Sequence, residues 1–400
     1  MVLTTTVEHR FCRTPDGAVW THGAFDHGFF AEYLSVFSSL KVVARVLDVG
    51  RIDDAWRRAD GEGVAFIGVP HYIGPWQYGL NLRAINRLVK SAPVSDKAVL
   101  LRVPSHIAGV LQPALVKSGH PYGLEVVGDP YEVFAPLSNR GLLQPVWRWW
   151  FPRQLRRQCA RASACAYVSK AVLPDRYPAS RSAFRTIYSD VMLPEDAYAS
   201  TPRNARNPAE RFRVVTVGSL ENLCKAPDVL IDAAGICVSA GLDLELKFVG
   251  TGRCQPWLER RSAKLGLNGH VEFVGSVPGP QAVRAYLDEA DLFVLPSRAE
   301  ATPRALLEAM ARGLPSIGST VGAMPELLSP CDLVPPNDPM ALANKLRKVM
   351  MNPNLRSSMA ARNLNRARQY RLELMRCHRA KFLSRLQDET KAWIHRQSYS

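Results

Sequence analysis

The chain has no run of about 18 consecutive apolar residues, the length a membrane-spanning helix needs. Its start, MVLTTTVEHRF, lacks the charged and apolar regions of a secretory signal. A cytoplasmic protein is therefore expected. The eight cysteines are scattered and include no C-x-x-C pair. That excludes the usual structural zinc spacing, and a cytosolic chain keeps such cysteines as thiols. Recognisable nucleic-acid-binding motifs are also missing. Acidic residues are in deficit, 36 Asp and Glu against 51 Lys and Arg, for a net charge of +15. That imbalance calls for an acidic partner such as nucleic acid, anionic lipid or a phosphorylated small molecule, and the missing motifs weigh against the first.

What is present is an alternation. The stretches KVVARVLDV (41–49), GVAFIGVP (63–70), KAVLLRVP (97–104), YGLEVVGDP (122–130) and ACAYVS (164–169) read as strands. Helical stretches such as GLNLRAINRLVK and HIAGVLQPALVKSG separate them. Apolar strands alternating with helices predict parallel sheets covered on both faces. The polar stretch 194–211, PEDAYASTPRNARNPAER, reads as a linker, and the alternation restarts beyond it. Helices at about 338–351, 354–369 and 371–389 close the chain. Four hundred residues in two such halves suit two domains of roughly 150 to 200 residues each. The expected fold is α/β, two Rossmann-like sheets facing a cleft, with ligands at the carboxyl ends of the strands.

Charge placement adds a partner. The tail beyond Pro353 is rich in arginine, and VWRWWFPRQLRRQ (146–158) mixes three tryptophans with arginines. Basic residues beside aromatics suit an anionic membrane surface. The same pattern suits a solvated helix face with its tryptophans tucked inward.

The second half carries chemistry at successive strand ends. Gly218 permits a tight turn after FRVVTV, and Lys225 stands near the next helix start, where free N–H groups attract anions. Taken alone, Lys225 also reads as a surface lysine. Gly250 and Gly252 form a G-x-G without the third glycine of a dinucleotide fingerprint. Bare backbone at Gly275 suits a flat base. In SRAEATPRALLEAMARGLPSI, Thr302 is placed as the N-cap and Pro303 as the first residue of a helix. Glu300 stands just outside that helix and Glu308 further in. A helix that only packs needs neither carboxylate, although solvated glutamates are common on any helix.

These residues match a family. The segment 214–345 closely resembles the C-terminal domain of retaining glycosyltransferases of the GT-B fold, specifically glycosyltransferase family 4. The resemblance runs through VGSL, KAPDVLIDA, LKFVGTG, VEFVGSV and ADLFVLPSRAEATPRALLEAMARGLPSIGSTVGAMPELL. Its core is two glutamates separated by seven residues, here Glu300 and Glu308. The first half resembles the acceptor-side domain more loosely, through RVPSHIAGV and LEVVGDPYEV.

The resemblance implies a donor-binding domain over 212–370. It implies an acceptor-side domain over 1–194, with the terminal helix 371–400 packed back on it. It places Lys225, with the backbone of Thr302, Pro303 and Arg304, on the donor diphosphate. Glu308 would hold the ribose, Glu300 the donor sugar near its reacting carbon, and Val274, Gly275 and Val277 the base. Gly218, Ser219 and Gly250 complete the donor contacts. The implied reaction is retaining transfer from a nucleotide-diphosphate sugar, with UDP as the expected nucleotide. Neither a cofactor nor a metal is expected, and no D-x-D motif contradicts that.

The sequence departs from the pattern twice. Ser219 stands where the family usually has arginine, leaving Lys225, Arg253 or Arg304 to cover the diphosphate. Gly128-Asp129 stands where many members carry a histidine, so Asp129 or His106 is the candidate acceptor-side contact. His106 reads equally as a capping residue, and His22 and His27 as possible cleft residues. The expected acceptor is a glycan or lipid-linked saccharide, met at the inner face of the membrane. A small natural product as acceptor, a nucleotide-sugar epimerase or phosphorylase, and a non-catalytic binding partner of another transferase remain open.

Overall fold

The computed structural model describes residues 1–399 apart from 54, 93, 134–143, 189, 190, 192 and 204–210. Part of the expected linker, 204–210, thus lies outside the described residues. Two sheets form the molecule, one of nine strands and one of six. All neighbours in the six-stranded sheet are parallel. Its spatial order is Val271–Gly275, Leu244–Val249, Phe212–Val217, Leu292–Leu295, Ser316–Ser319 and Leu333–Val334. Counted from its first strand this is 3-2-1-4-5-6, the doubly wound order. The order reverses between Phe212–Val217 and Leu292–Leu295, so the helices that follow these two strands leave on opposite faces and a crevice opens between them.

The amino-terminal sheet repeats the plan. Its parallel strands lie in the order Val64–Pro70, Ser39–Asp48, Val2–Arg13, Ala98–Val103, Gly123–Val126, Ala164–Tyr167 and Phe184–Ile187. Val19–Thr21 and Arg57–Arg58 add an antiparallel edge to the far half of Val2–Arg13. That central first strand goes unrecognised in the sequence reading. Its TTTVEH core is polar in composition, yet Thr4, Thr5 and Thr6 are buried.

The carboxyl edges of the two sheets meet. The hydroxyl of Thr302 donates to the carbonyl of Val168 at 3.1 Å. The carboxylate of Glu326 accepts from the backbone N–H groups of Lys170, Ala171 and Val172 at 2.5, 3.0 and 2.7 Å. A single helix, Leu372–Gln397, then returns to the amino-terminal lobe. There Arg376 pairs with Glu32 at 2.6 Å, and Arg379 is buried among Phe29, Tyr33 and Tyr188.

Candidate functional site

The crevice of the carboxyl-terminal sheet collects the residues singled out in the second half of the sequence. Lys225 and Glu300, 75 positions apart, meet there, and the lysine ammonium donates to Oε2 of Glu300. The Ser297 hydroxyl donates to the same oxygen at 3.3 Å. Glu300 is buried and Lys225 half-buried.

Close backbone approaches fix both partners. A Cβ on Gly322 would stand 1.6 Å from the carbonyl oxygen of Glu300. Only glycine lets that chain press on the Glu300 loop. A Cβ on Gly250, at φ +139°, would stand 2.1 Å from the carbonyl oxygen of Gly218. The G-x-G thus packs one strand end on another, and the Gly250 N–H donates to Gly275 at 2.8 Å.

Lys225 is carried by a loop that Arg298 clamps. The Arg298 guanidinium donates to both oxygens of Asp228 at 2.7 Å, to the Leu223 carbonyl at 2.7 Å and to Asn337 at 2.5 Å. Its backbone N–H donates to the Cys224 carbonyl at 2.7 Å. Ala226 follows in the left-handed region at φ 51°. Sequence reasoning missed Arg298, because nothing in PSRAE distinguishes a clamp from a solvated arginine.

The helix after Glu300 runs over Arg304–Ala311, one residue later than predicted, and Thr302 is not its N-cap. The Thr302 hydroxyl is spent across the lobes on Val168, so it is not free to cap. Pro303 takes the cap position without a side-chain bond, and the first helical N–H groups remain free of intrahelical partners. Glu308 lies one turn into this helix, and its carboxylate accepts no hydrogen bond from a described residue. Burial pushes its pKa up from the ordinary carboxylate value, against the opposing pull of Arg304 and Arg284.

The remaining predicted residues rim the crevice. Exposed Ser219 accepts from the Glu221 N–H at 3.2 Å, and Arg253 donates to the Glu221 carbonyl at 2.7 Å, beside the position of the missing arginine. Val274 and Val277 are half-buried on either side of Gly275, which has φ +87°. The enclosed space behind Gly218 and Lys225 is about 10 Å³, room for one water at most.

The amino-terminal candidates fare differently. Asp129 is buried, accepting from the Tyr177 hydroxyl at 2.5 Å, the Tyr131 N–H at 3.0 Å and Arg176. Both its oxygens are used within its own lobe, so it offers none to an acceptor. His106 begins the helix His106–Lys117 but lies between aromatic rings, 4.6 Å from Tyr78 and 5.3 Å from Phe151. His22 stacks on Trp56, and His27 contacts the Glu62 carbonyl at 3.1 Å. Neither joins Lys225 and Glu300. Trp149 and Trp150 are about half exposed, so the tryptophans are not all tucked inward. Glu326, which bridges the lobes, was not anticipated, since a carboxylate aimed at backbone N–H groups leaves no local sequence signal.

Comparison with known proteins fits this geometry. Residues 200–366 match the family model described as glycosyl transferases group 1. The carboxyl-terminal lobe is thus similar to that family. The whole chain is 25% identical to protein CapJ of Staphylococcus aureus over 90% of its own length and 89% of CapJ. It is 35% identical to the putative colanic acid biosynthesis glycosyltransferase WcaL of Escherichia coli K12, over 36% of its own length and 38% of WcaL. Among solved structures it resembles Anabaena Alr3699/HepE in complex with UDP, with a TM-score of 0.65 at 16% identity. That match covers 96% of this chain and all of the other. The fold is GT-B, two Rossmann-like lobes facing a cleft.

Proposed function

We propose that this chain is a glycosyltransferase that takes a UDP-sugar and transfers its sugar, with retained anomeric configuration, to a glycan or lipid-linked acceptor. The observation that carries the reading is the meeting of Lys225 and Glu300 at the reversal point of the sheet. Lys225 and the N-terminus of Arg304–Ala311 receive the diphosphate, where positive partial charge stabilises the departing anion. Glu308 accepts hydrogen bonds from the ribose diol, and the base lies along Val274, Gly275 and Val277. Glu300 then exchanges its lysine for the sugar. The bond from the anomeric carbon to the diphosphate oxygen breaks with its electron pair leaving on the phosphate. The acceptor hydroxyl attacks from that same face and gives its proton to the departing phosphate oxygen. Charge neutralisation by these groups needs no metal ion.

Solved complexes of HepE with UDP and with UDP-glucose support the donor, and WcaL's association with colanic acid supports a glycan product. No described helix is long and apolar enough to cross a membrane. The outward tryptophans and arginines of Gln144–Arg161 instead support peripheral contact with an anionic surface at the inner face. A screen of nucleoside diphosphates by thermal shift tests the donor site, because a ligand at 100 times its Kd stabilises the fold by about 2.7 kcal/mol. Failure of UDP and every other nucleotide to shift the melting temperature would remove the reading. Ser219 favours a second reading, a non-catalytic binder of nucleotide sugars. Slow donor hydrolysis by the wild-type protein that disappears in Lys225→Ala would dismiss it.

A further inference from the structure

The amino-terminal sheet has a reversal point of its own, between Val2–Arg13 and Ala98–Val103. Strand Val2–Arg13 shifts register between Val7 and Arg10, which brings Glu8 to the start of the helix His106–Lys117. A cavity of about 620 Å³ opens there, over Glu8 and Arg45 and walled by Tyr72, Tyr78, His106, Trp147, Trp150 and Phe151. In doubly wound sheets such a point is where a ligand binds.

The chemistry of the cavity limits what that ligand can be. Its polar floor is largely paired, with Nε of Arg45 left without a hydrogen-bond partner. Glu8 accepts from Ser105 at 2.7 Å, from the Ile107 N–H at 3.3 Å and from the Tyr72 hydroxyl, and it faces Arg45 at 3.6 Å. Arg45 donates onward to the Tyr72 carbonyl at 3.0 Å. Burial lowers the pKa of His106, which keeps the ring neutral. An aliphatic chain entering this space exchanges water for ring faces, whereas each sugar hydroxyl must find one of the few polar wall groups, such as the His106 ring or the Tyr78 hydroxyl, to offset its loss of water.

The mouth points the same way. Trp76, Leu80, Trp149 and Trp150 stand 79%, 72%, 56% and 46% exposed on the two helices flanking it. Across Trp150 a second groove, of about 820 Å³, carries Lys117, Arg153, Arg157 and Arg161. Apolar side chains beside a basic groove match the interface of an anionic bilayer. His106 and Val168, the point of contact with the donor lobe, end strands two places apart, about 10 Å at the usual strand spacing. The cavity therefore opens on the same sheet edge as the contact with the donor lobe, with the end of strand Gly123–Val126 between them.

We infer that this cavity receives the aliphatic chain of a lipid-linked acceptor, adjoining the head group that carries the attacking hydroxyl. The assignment of that lipid as acceptor rests on the transferase reading given above; the chain-binding cavity itself does not.

The test uses the full chain with farnesyl phosphate and dodecyl phosphate, each below its critical micelle concentration, and maltose as a saccharide control. Tryptophan fluorescence reads binding, and the thermal shift with UDP reads the donor site in the same samples. Saturable binding of a lipid phosphate is expected, weakened at least tenfold in Trp150→Ala and in Tyr78→Ala. Trp257→Ala, outside the cavity, should bind as the wild type does, and all variants should keep the UDP shift, which shows them folded. Tighter binding of farnesyl phosphate assigns an isoprenoid chain, and tighter binding of dodecyl phosphate an unbranched one. Lipid binding without a shift by UDP or any other nucleoside diphosphate leaves the cavity assignment standing and removes the transferase reading. Saturable maltose binding that competes with the lipid overturns the inference. So does a UDP-responsive protein that binds neither lipid, or lipid binding that neither cavity variant weakens.

Discussion

Lys225 and Glu300 neutralise each other across the crevice, the ammonium of one against Oε2 of the other. The two groups proposed to serve the diphosphate and the sugar are therefore occupied with one another before a donor arrives. Glu300→Gln removes the charge that competes for Lys225. UDP should then bind about 3- to 10-fold more tightly, corresponding to ~1 kcal/mol for a partly exposed pair. Transfer should nevertheless fall at least about 100-fold, as when a group that stabilises the transition state is lost. Calorimetry with UDP and product analysis separate the effects, and weaker UDP binding with turnover intact would contradict the arrangement.

Glu308 supplies a pH dependence with a definite sign. Its folded-state pKa lies above the ordinary carboxylate value because the group is buried. Between those values the native protein holds a proton that the unfolded chain has lost. Stability therefore falls as pH rises through that window and stays lowered above it. Glu308→Gln should raise the melting temperature at pH 8, and the gain should vanish below about pH 4, near the ordinary carboxylate range. The same variant should bind UDP more weakly, since ribose donates to a carboxylate better than to an amide. Melting curves across pH that show no such convergence would count against it.

Arg298 is a positioning residue. Its two-armed pair with Asp228 leaves the side chains only 9% and 14% exposed. Arg298→Leu strands a buried carboxylate and should cost about 3–5 kcal/mol of stability. Arg298→Lys keeps the charge but loses the fork. That variant should remain folded at 25 °C while its KM for the donor rises, because the Lys225 loop loses its register. An unchanged KM in a folded Arg298→Lys protein would reduce Arg298 to a stability role.

Glu326 holds the lobes together through three backbone N–H groups of the other lobe. Hydrogen bonds to a charged group contribute about 1.5–3 kcal/mol each. Glu326→Ala should therefore shift the ligand-free protein toward open arrangements, seen as a larger radius of gyration in solution scattering. Identical scattering curves for wild type and variant would show that the terminal helix and the Thr302–Val168 contact set the lobe geometry without it.

Much of the fold is legible in the sequence because parallel strands buried on both faces must be continuous apolar runs. Segments such as AVLL, LKFVG and DLFVL carry their own assignment. Val2–Arg13 escapes this rule because threonine is polar in composition yet β-branched, and it buries well once neighbours cover it. The Glu300 and Glu308 spacing is local to one loop and helix, so it survives as a pattern. The start of that helix does not. Thr302 is a good cap in isolation, but the opposing lobe claims its hydroxyl.

The sequence by itself determined the alternation of strands and helices and the spacing of Glu300 and Glu308, since both depend on neighbours a few positions apart. Only the tertiary structure decided that Lys225 faces Glu300, that Arg298 holds the loop between them and that Asp129 is sealed within its lobe. It also decided that His106 opens on an aromatic cavity. Those facts rest on contacts between residues far apart in the chain, where the partner is set by how strands are ordered in a sheet and how two sheets meet. No local periodicity records that order.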